Sequence, residues 1–574
     1  MLSNKKNQRI FYYSGLLILF IFSLYKITLG VHGDELHTVA LGDMIVSGNS
    51  FFKETWFYLQ MSAVVNAPFI WIYKMMTGSA DGIVLILRVI SDLFQLLITL
   101  FFYKTFRDYF EEKYVMCAST IIFMYSPDFR NMVYKVELIW FSILIICFLF
   151  HFLKTGKSVY LIATGVCISL SVLCYPPSAI LLFFVCGDLY LLHKRKCCSM
   201  NALKSMGIII LTCAICGMLF LIYVFATIGI NNFIKFFPIV FADENVTGNL
   251  YTKLLHPVLK VLAFSVFAIV PVLLVSKIKF LKLLVNKLRL PIVSILFLFA
   301  FLGQTFIERR CISWHIITYP YALALAFCIL LFWNNHTENT DSVFYIFEVM
   351  CIGVVISMII ASNQGNISCV MGMLIAMVLM LIWPESTNVG PFSNLILKEK
   401  KCYALTILVI SLFTFIYPVY EWETTNFNSL DELKQCSVFT DRELAGYGPL
   451  KGIKLGKRFT PQYKKMYDVM IENVNDGEKL CILADGLGAA SAGYLCKNIN
   501  YSTYSPQGGS EIGISDKLVN YYELNPNMIP DVVIVNIDYI KIPIDEFLTN
   551  YSFGSFLCDN GYERVNYNSD YCIF

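Results

Sequence analysis

The sequence predicts a polytopic α-helical membrane protein of about 13 spans, followed by an extracytoplasmic α/β domain at its C-terminal end. Composition, recurring apolar runs and the placement of the basic connections all predict it. The 574 residues are 57% hydrophobic and only 15% charged, with a mean hydropathy of +0.64. Soluble domains carry roughly a quarter of charged residues. Apolar runs recur through the first 420 positions, several of them as long as the ~20 residues that cross a bilayer. Backbone polar groups in lipid must pair within their own segment, so these runs are read as helices. A net charge of +3 is too small to suggest a nucleic-acid partner.

The first run, 10–29, follows Lys5, Lys6 and Arg9 and lacks a small-residue cleavage site, so it reads as an anchor helix. Further runs fall at 62–77, 83–104, 115–127, 138–153, 158–175, 178–192, 204–228, 259–276, 291–307, 316–333, 342–361, 367–383 and 402–419. The basic connections are 104–113, 154–157, 193–204, 277–289 and 398–401, each separated from the next by two runs. All five therefore share one side. They share it with the basic N-terminus only if one early run does not span. The weakest is 62–77, which is short, holds Lys74 and is broken by Asn66-Ala67-Pro68. It is read as a helix in the outer interface, leaving thirteen spans, a cytoplasmic N-terminus and a tail outside. Residues 1–420 form the membrane domain and 421–574 the extracytoplasmic domain.

The tail contains strand-like CILAD at 481–485 and DVVIVNID at 531–538. Helical stretches lie near 461–473 and 513–523, and the end reads as a hairpin around Asn568-Ser569. The stretch 485–493 has the wrong glycine spacing for a dinucleotide loop and is read as a strand–turn–helix connection. Fourteen of the 19 cysteines precede position 421; Cys436, Cys481, Cys496, Cys558 and Cys572 lie in the tail, an odd number that cannot all pair within one chain.

On this topology the outer loops gather carboxylates with Arg and His, whereas the inner connections hold mainly Lys. Three stretches stand out. Val31-His32-Gly33-Asp34-Glu35-Leu36-His37 places two carboxylates where the chain leaves the membrane, a costly position and hence a site candidate. The plainer reading makes Asp34 the N-cap of a helix over 35–47, and both readings can hold at once. His32, Asp34, Glu35 and His37 are also metal-ligand types, although their spacing matches no familiar zinc signature. The second stretch, 125–137, carries Asp128, Arg130, Lys135 and Glu137; interfacial snorkelling is the alternative to a site. The third, Glu308-Arg309-Arg310 through His315, puts paired arginines on the side that disfavours them, so they call for a partner. Phosphate fits a guanidinium fork, and a lipid headgroup is the alternative to a substrate.

These residues resemble the GT-C glycosyltransferases that use polyprenyl-phosphate sugars, among them protein O-mannosyltransferases, the aminoarabinose transferase of lipid A and the rhizobial galacturonosyltransferases. The likeness is an order of features over about 10–330: Asp34-Glu35 after the first span, Asn66-Ala67-Pro68, Arg88, Ser126-Pro127, and Trp314-His315-Ile316-Ile317-Thr318-Tyr319-Pro320-Tyr321-Ala322. It departs from the family where the second-loop acid usually follows Arg-Pro; here Glu137 follows Lys135-Val136, and Asp128 is the other choice.

The resemblance implies transfer of a sugar from a polyprenyl-phosphate donor to a cell-envelope glycan, lipid or protein. Asp34 is then the base, with inversion at the anomeric carbon. Arg309, Arg310 and His315 hold phosphate, with Lys135 and Arg130 as further cations. Glu35 and Glu137 orient the acceptor or bind a divalent metal, which only some branches use. A transporter or flippase of lipid-linked sugar is the competing class; repeated halves would mark one, and no internal repeat is evident. A non-catalytic scaffold displaying the tail is the third.

Overall fold

The computed structural model describes residues 5–56, 59–125, 131–195, 200–241, 255–288, 290–310, 317–334, 342–361, 370–384, 390–419, 427–484, 489–504, 511–540, 542–566 and 570–574. Up to Ile416 the named elements are all helical, and the named strands begin at Glu443. The helices bearing on the site are α1 (Lys5–Lys26), α2 (Gly33–Val46), α3 (Ala63–Thr77), α4 (Ile83–Phe106), α5 (Glu112–Met124), α6 (Tyr134–Thr155) and α7 (Ser158–Cys174).

Six helices among the described residues are long and apolar enough to cross a membrane: Lys5–Lys26, Ile83–Phe106, Tyr134–Thr155, Pro176–Lys194, Ala202–Ile228 and Val343–Ile360. The other runs counted as spans contain helices too, but several, such as Ser158–Cys174 and Gly372–Ile382, are shorter. Large apolar side chains stand exposed along α1 (Phe11, Leu17, Ile18) and along the helix Ala202–Ile228 (Leu211, Leu219, Ile222). In water such stripes are a liability; against lipid tails they cost nothing.

Contacts sort the helix ends into two faces. At one, Lys26 Nζ donates to the Phe415 carbonyl, Gly30 N–H to Lys454 O (2.9 Å) and Gly82 N–H to Gly448 O (3.0 Å). At the other, Arg9 pairs with Glu112 at 2.6 Å, Lys154 lies over the Tyr109 ring, and Lys400 over Tyr114. The tail packs on the first face, whereas the second gathers basic residues of several connections. Charge separation of this kind is what the positive-inside rule produces.

Two elements between the first spans set the site. Eleven of the fourteen residues of α2 are buried, including Glu35, His37 and Asp43, so this helix is enclosed by protein. The 62–77 stretch is helical as α3, entered through the 3₁₀ turn Gln60–Ser62. Pro68 lies inside α3, while Trp71, Ile72, Met75 and Met76 stand at least half exposed or nearly so. A helix whose apolar face is exposed at the end of a bundle suits an interface. It packs tightly on α2: a Cβ added at Gly42 would lie 2.3 Å from Asn66 Oδ1 and 2.5 Å from Ile70. The Asn66 amide donates to Thr38 O at 3.0 Å.

The tail opens with an antiparallel pair, β1 (Glu443–Leu444) and β2 (Lys454–Leu455), and then holds a five-stranded mixed sheet in the order β4 (Asn500–Tyr501), β3 (Lys479–Leu483), β5 (Val532–Asn536), β7 (Tyr571–Ile573), β6 (Val565–Asn566). β3 is parallel to β4 and β5, and β7 is antiparallel to β5 and β6. The expected terminal hairpin is thus β6–β7, with Val565 opposite Ile573; its tip, Asn568-Ser569, lies outside the described residues. β3 leads to the short helix Ala489–Tyr494, with residues 485–488 between them outside the described residues. Among the described residues every cysteine is a free thiol, the five of the tail included.

The two-faced arrangement predicts an accessibility pattern. With exposed Cys402 and Cys558 replaced by serine, a cysteine at position 74 should react with an impermeant maleimide on intact cells and one at 398 should not. Labelling at 398 alone overturns the assignment of faces.

Candidate active site

The site is built where α1, α2, α4 and α6 meet at the tail-bearing face. His32, not Asp34, caps α2: its Nδ1 accepts the Asp34 backbone N–H at 2.9 Å. This corrects the capping expectation and frees the Asp34 carboxylate. As the second residue of the helix, Asp34 still meets the positive end of its dipole.

Asp34 and Glu35 are neighbours with different surroundings. Glu35 is fully buried and paired bidentately with Arg88, Nε to Oε1 and Nη2 to Oε2, both at 2.6 Å. Arg88 also donates to the carbonyls of Ile27 (2.5 Å) and Gly30 (3.0 Å), and the Asn131 amide donates to Glu35 Oε1 at 2.7 Å. Both carboxylate oxygens are therefore engaged inside the protein, and Glu35 holds the fold instead of facing a substrate or a metal.

Asp34 keeps 24% of its side chain exposed and pairs through Oδ2 with Lys135 Nζ at 2.9 Å. Burial pushes its carboxyl up. The ammonium of Lys135, through its charge and its hydrogen bond, more than offsets this and leaves it well below the usual carboxylate range. Asp34 is thus a partly open carboxylate, ionised at neutral pH, beside a lysine only 5% exposed.

The tail reaches this helix directly. Tyr504 Oη lies 2.9 Å from His37 Nδ1, with the rings stacked at 5.3 Å, and 2.9 Å from Ser491 Oγ. Burial pushes the His37 imidazole down to about 3, so it stays neutral. One turn and a half further on, buried Asp43 accepts from Lys74 Nζ (2.8 Å) and from Tyr501 Oη (3.1 Å). Burial raises the Asp43 carboxyl, and Lys74 and Tyr501 recover only part of that rise. Tyr501 and Tyr504, which no motif pointed to, therefore fasten α2 to the tail.

Glu137, in the first turn of α6, is fully buried, and neither carboxylate oxygen makes a close hydrogen bond; the Cys174 thiol is its polar neighbour. It lies inside the protein, two residues along the helix from Lys135. The arginine stretch forms a further group. The π-helical turn Gly303–Ile307 leads into Glu308, whose carboxylate accepts from Gln304 (2.6 Å) and from the Tyr319 hydroxyl. Arg309 is exposed, takes a left-handed φ of 52°, and its carbonyl accepts the Phe427 N–H at 3.1 Å. Arg310 is half-buried, near Tyr319. A π-turn and a non-glycine positive φ mark a segment held against local preference, as functional segments often are. Asp128, Arg130 and His315 lie outside the described residues.

No group of three His, Cys, Asp or Glu side chains among the described residues could hold a metal ion. The alternative of a divalent metal fits poorly at Asp34-Glu35, because Lys135 and Arg88 already neutralise the two carboxylates.

No protein-family model and no curated protein matches the chain. Solved structures do. The structure of ArnT from Cupriavidus metallidurans bound to undecaprenyl phosphate has a TM-score of 0.48 at 9% identity, over 99% of this chain and 98% of that one. The Archaeoglobus fulgidus oligosaccharyltransferase complexed with Zn and sulfate gives 0.45 at 11%, over 93% and 68%. The archaeal oligosaccharyltransferase AglB, with an inhibitory peptide and a dolichol-phosphate, gives 0.42 at 10%, over 92% and 70%.

The two kinds of contact predict different losses. Glu35→Gln strands the Arg88 guanidinium in the core and should cost about 3–5 kcal/mol. Tyr504→Phe removes one hydroxyl and should cost about 1 kcal/mol. In detergent-solubilised protein the first should lower the thermal unfolding midpoint far more than the second; equal shifts would show that Glu35 does not organise the site.

Proposed function

We propose that this chain is an inverting membrane glycosyltransferase with Asp34 as its base. It moves a sugar from a polyprenyl-phosphate donor to a cell-envelope acceptor, and the work is done at the extracytoplasmic face, with the N-terminus in the cytoplasm and thirteen spans between. The observation that carries this reading is the Asp34–Lys135 pair: a partly open, ionised carboxylate 2.9 Å from an ammonium at the membrane boundary. The order of features from Asp34-Glu35 to the stretch at 314–322 supports it from the sequence side.

The chemistry follows from those two charges. Asp34 takes the proton of an acceptor hydroxyl as its oxygen attacks the anomeric carbon. The bond from that carbon to the phosphate oxygen breaks, and the polyprenyl phosphate departs with the electron pair. Phosphate is a good leaving group, so the protein needs cations more than an acid. Lys135 supplies one, and Arg309 and Arg310 are the proposed others. Lys135 also has a role before the reaction: its flexible ammonium occupies Asp34 until a donor phosphate competes for it, so donor binding frees the base. The divalent metal of some GT-C branches has no part in this proposal.

Asp34→Asn should abolish transfer from a labelled polyprenyl-phosphate sugar by three orders of magnitude or thereabouts with folding unchanged; full turnover in that variant sinks the assignment.

The ion pair also fixes a pH dependence. A carboxylate held low in the folded state keeps its charge, and the stability that goes with it, above the ordinary value of about 4. It loses both only as the pH falls through the lower folded value. Wild-type activity should thus show no acid limb from Asp34 in the mildly acidic range. Lys135→Met removes the chief lowering influence and leaves burial to raise the carboxyl. It should therefore move an acid limb upward into that range and raise the KM for donor.

A further inference from the structure

A cavity of about 440 Å³ opens at the face opposite the site, lined by Val275, Ser276, Lys282, Val285, Asn286, Asn394, Leu395 and Lys398. It is separated from the Lys26–Phe415 contact by the helix Lys400–Ile416, which rises about 25 Å over its 17 residues. It cannot belong to the Asp34 site. Two ammonium groups, two carboxamides and a hydroxyl line it, with no carboxylate among them. The acid nearest in sequence, Glu399, is turned elsewhere: its Oε2 accepts the Val293 N–H at 2.8 Å. Lys398 Nζ is steered by Asn286 Oδ1 at 3.4 Å. Among the described residues the lining is therefore positive, with Glu399 acting on Lys398 only from outside the cavity.

Its wall is the helix Lys279–Leu288. That helix bends 85° from the following apolar pair 292–307, so it runs across the bundle end instead of through it. Lys282, Val285 and Asn286 face the cavity, while Phe280, Leu283 and Leu288 are 71%, 69% and 57% exposed. One face thus suits acyl chains and the other an anion. Basic pockets of this kind between membrane helices suit anionic lipid headgroups.

We propose that this cavity binds the phosphate headgroup of an anionic phospholipid of the leaflet opposite the catalytic face, Lys282 and Lys398 taking the phosphate oxygens and Asn286 and Asn394 the polar remainder. The occupant is a lipid and not a soluble phosphate, because Val275, Val285 and Leu395 line the same cavity beside the two ammonium groups and give an acyl chain an apolar wall next to the anion.

The full chain in detergent, titrated with phosphatidylglycerol and followed by native mass spectrometry, tests this. Phosphatidylglycerol should be retained at least tenfold better than phosphatidylcholine, and millimolar glycerol phosphate should not displace it. The double variant Lys282→Gln/Lys398→Gln should lose that preference. Asn394→Trp, which fills the cavity and keeps both charges, should lower retention too, and Lys287→Gln, on the same helix but outside the lining, should not. Equal retention of the two lipids, an unchanged preference in the double variant, or displacement by glycerol phosphate overturns the proposal.

Discussion

The buried pair of Glu35 with Arg88 is the constraint on which the rest of the site depends. Arg88 sits in the first turns of α4, yet its guanidinium bonds two carbonyls at the end of α1 and both oxygens of a carboxylate on α2. Asn131, just before α6, adds a third segment through Glu35. Each charge is enclosed, so neither can leave without stranding the other, at a cost of several kcal/mol. Such a pair adds little net stability over an apolar filling. What it supplies is a single way for four segments to meet, and hence one position for the N-terminus of α2.

The tail completes that fixation from outside. Tyr504 holds His37, Tyr501 with Lys74 holds Asp43, and the Gly30–Lys454 and Gly82–Gly448 contacts bring the same segment down on the ends of α1 and α4. The neutral His37 lies three residues from Asp34, so the phenol that orients this imidazole also shapes the field at the carboxylate. This gives the tail a physical role without assigning it an acceptor.

Much of this was legible in the sequence because the bilayer imposes coarse rules. Basic connections two runs apart had to share a face, which required that one early run not span, and the shortness of 62–77 with its Lys74 and Asn66-Ala67-Pro68 picked out that run, which is helical as α3. The tail strands were visible as Val/Ile-rich runs and lie at β3 and β5. The finer points were not visible, each for a physical reason. Asp is a better cap than His by propensity, so Asp34 looked like the cap; instead the backbone is extended at His32, whose ring accepts the Asp34 N–H. Glu35 looked reactive beside Asp34, since nothing local reveals a guanidinium 53 residues away. Tyr501 and Tyr504 were hidden among 34 tyrosines, and only the fold distinguishes them.

Helical geometry explains why two adjacent carboxylates end so differently. Successive residues point about 100° apart around the axis. Once Glu35 is turned inward to Arg88, Asp34 must leave the core and look along the edge of α2, where Lys135 of α6 waits. A carboxylate at that place has an ammonium to keep it ionised and keeps about a quarter of its side chain exposed. Reversing the two residues would bury the partly exposed carboxylate and expose the one that pairs with Arg88. The position of Asp34 is therefore a consequence of the ion pair beside it: at this helix end a buried structural acid sets the angle of a partly exposed one.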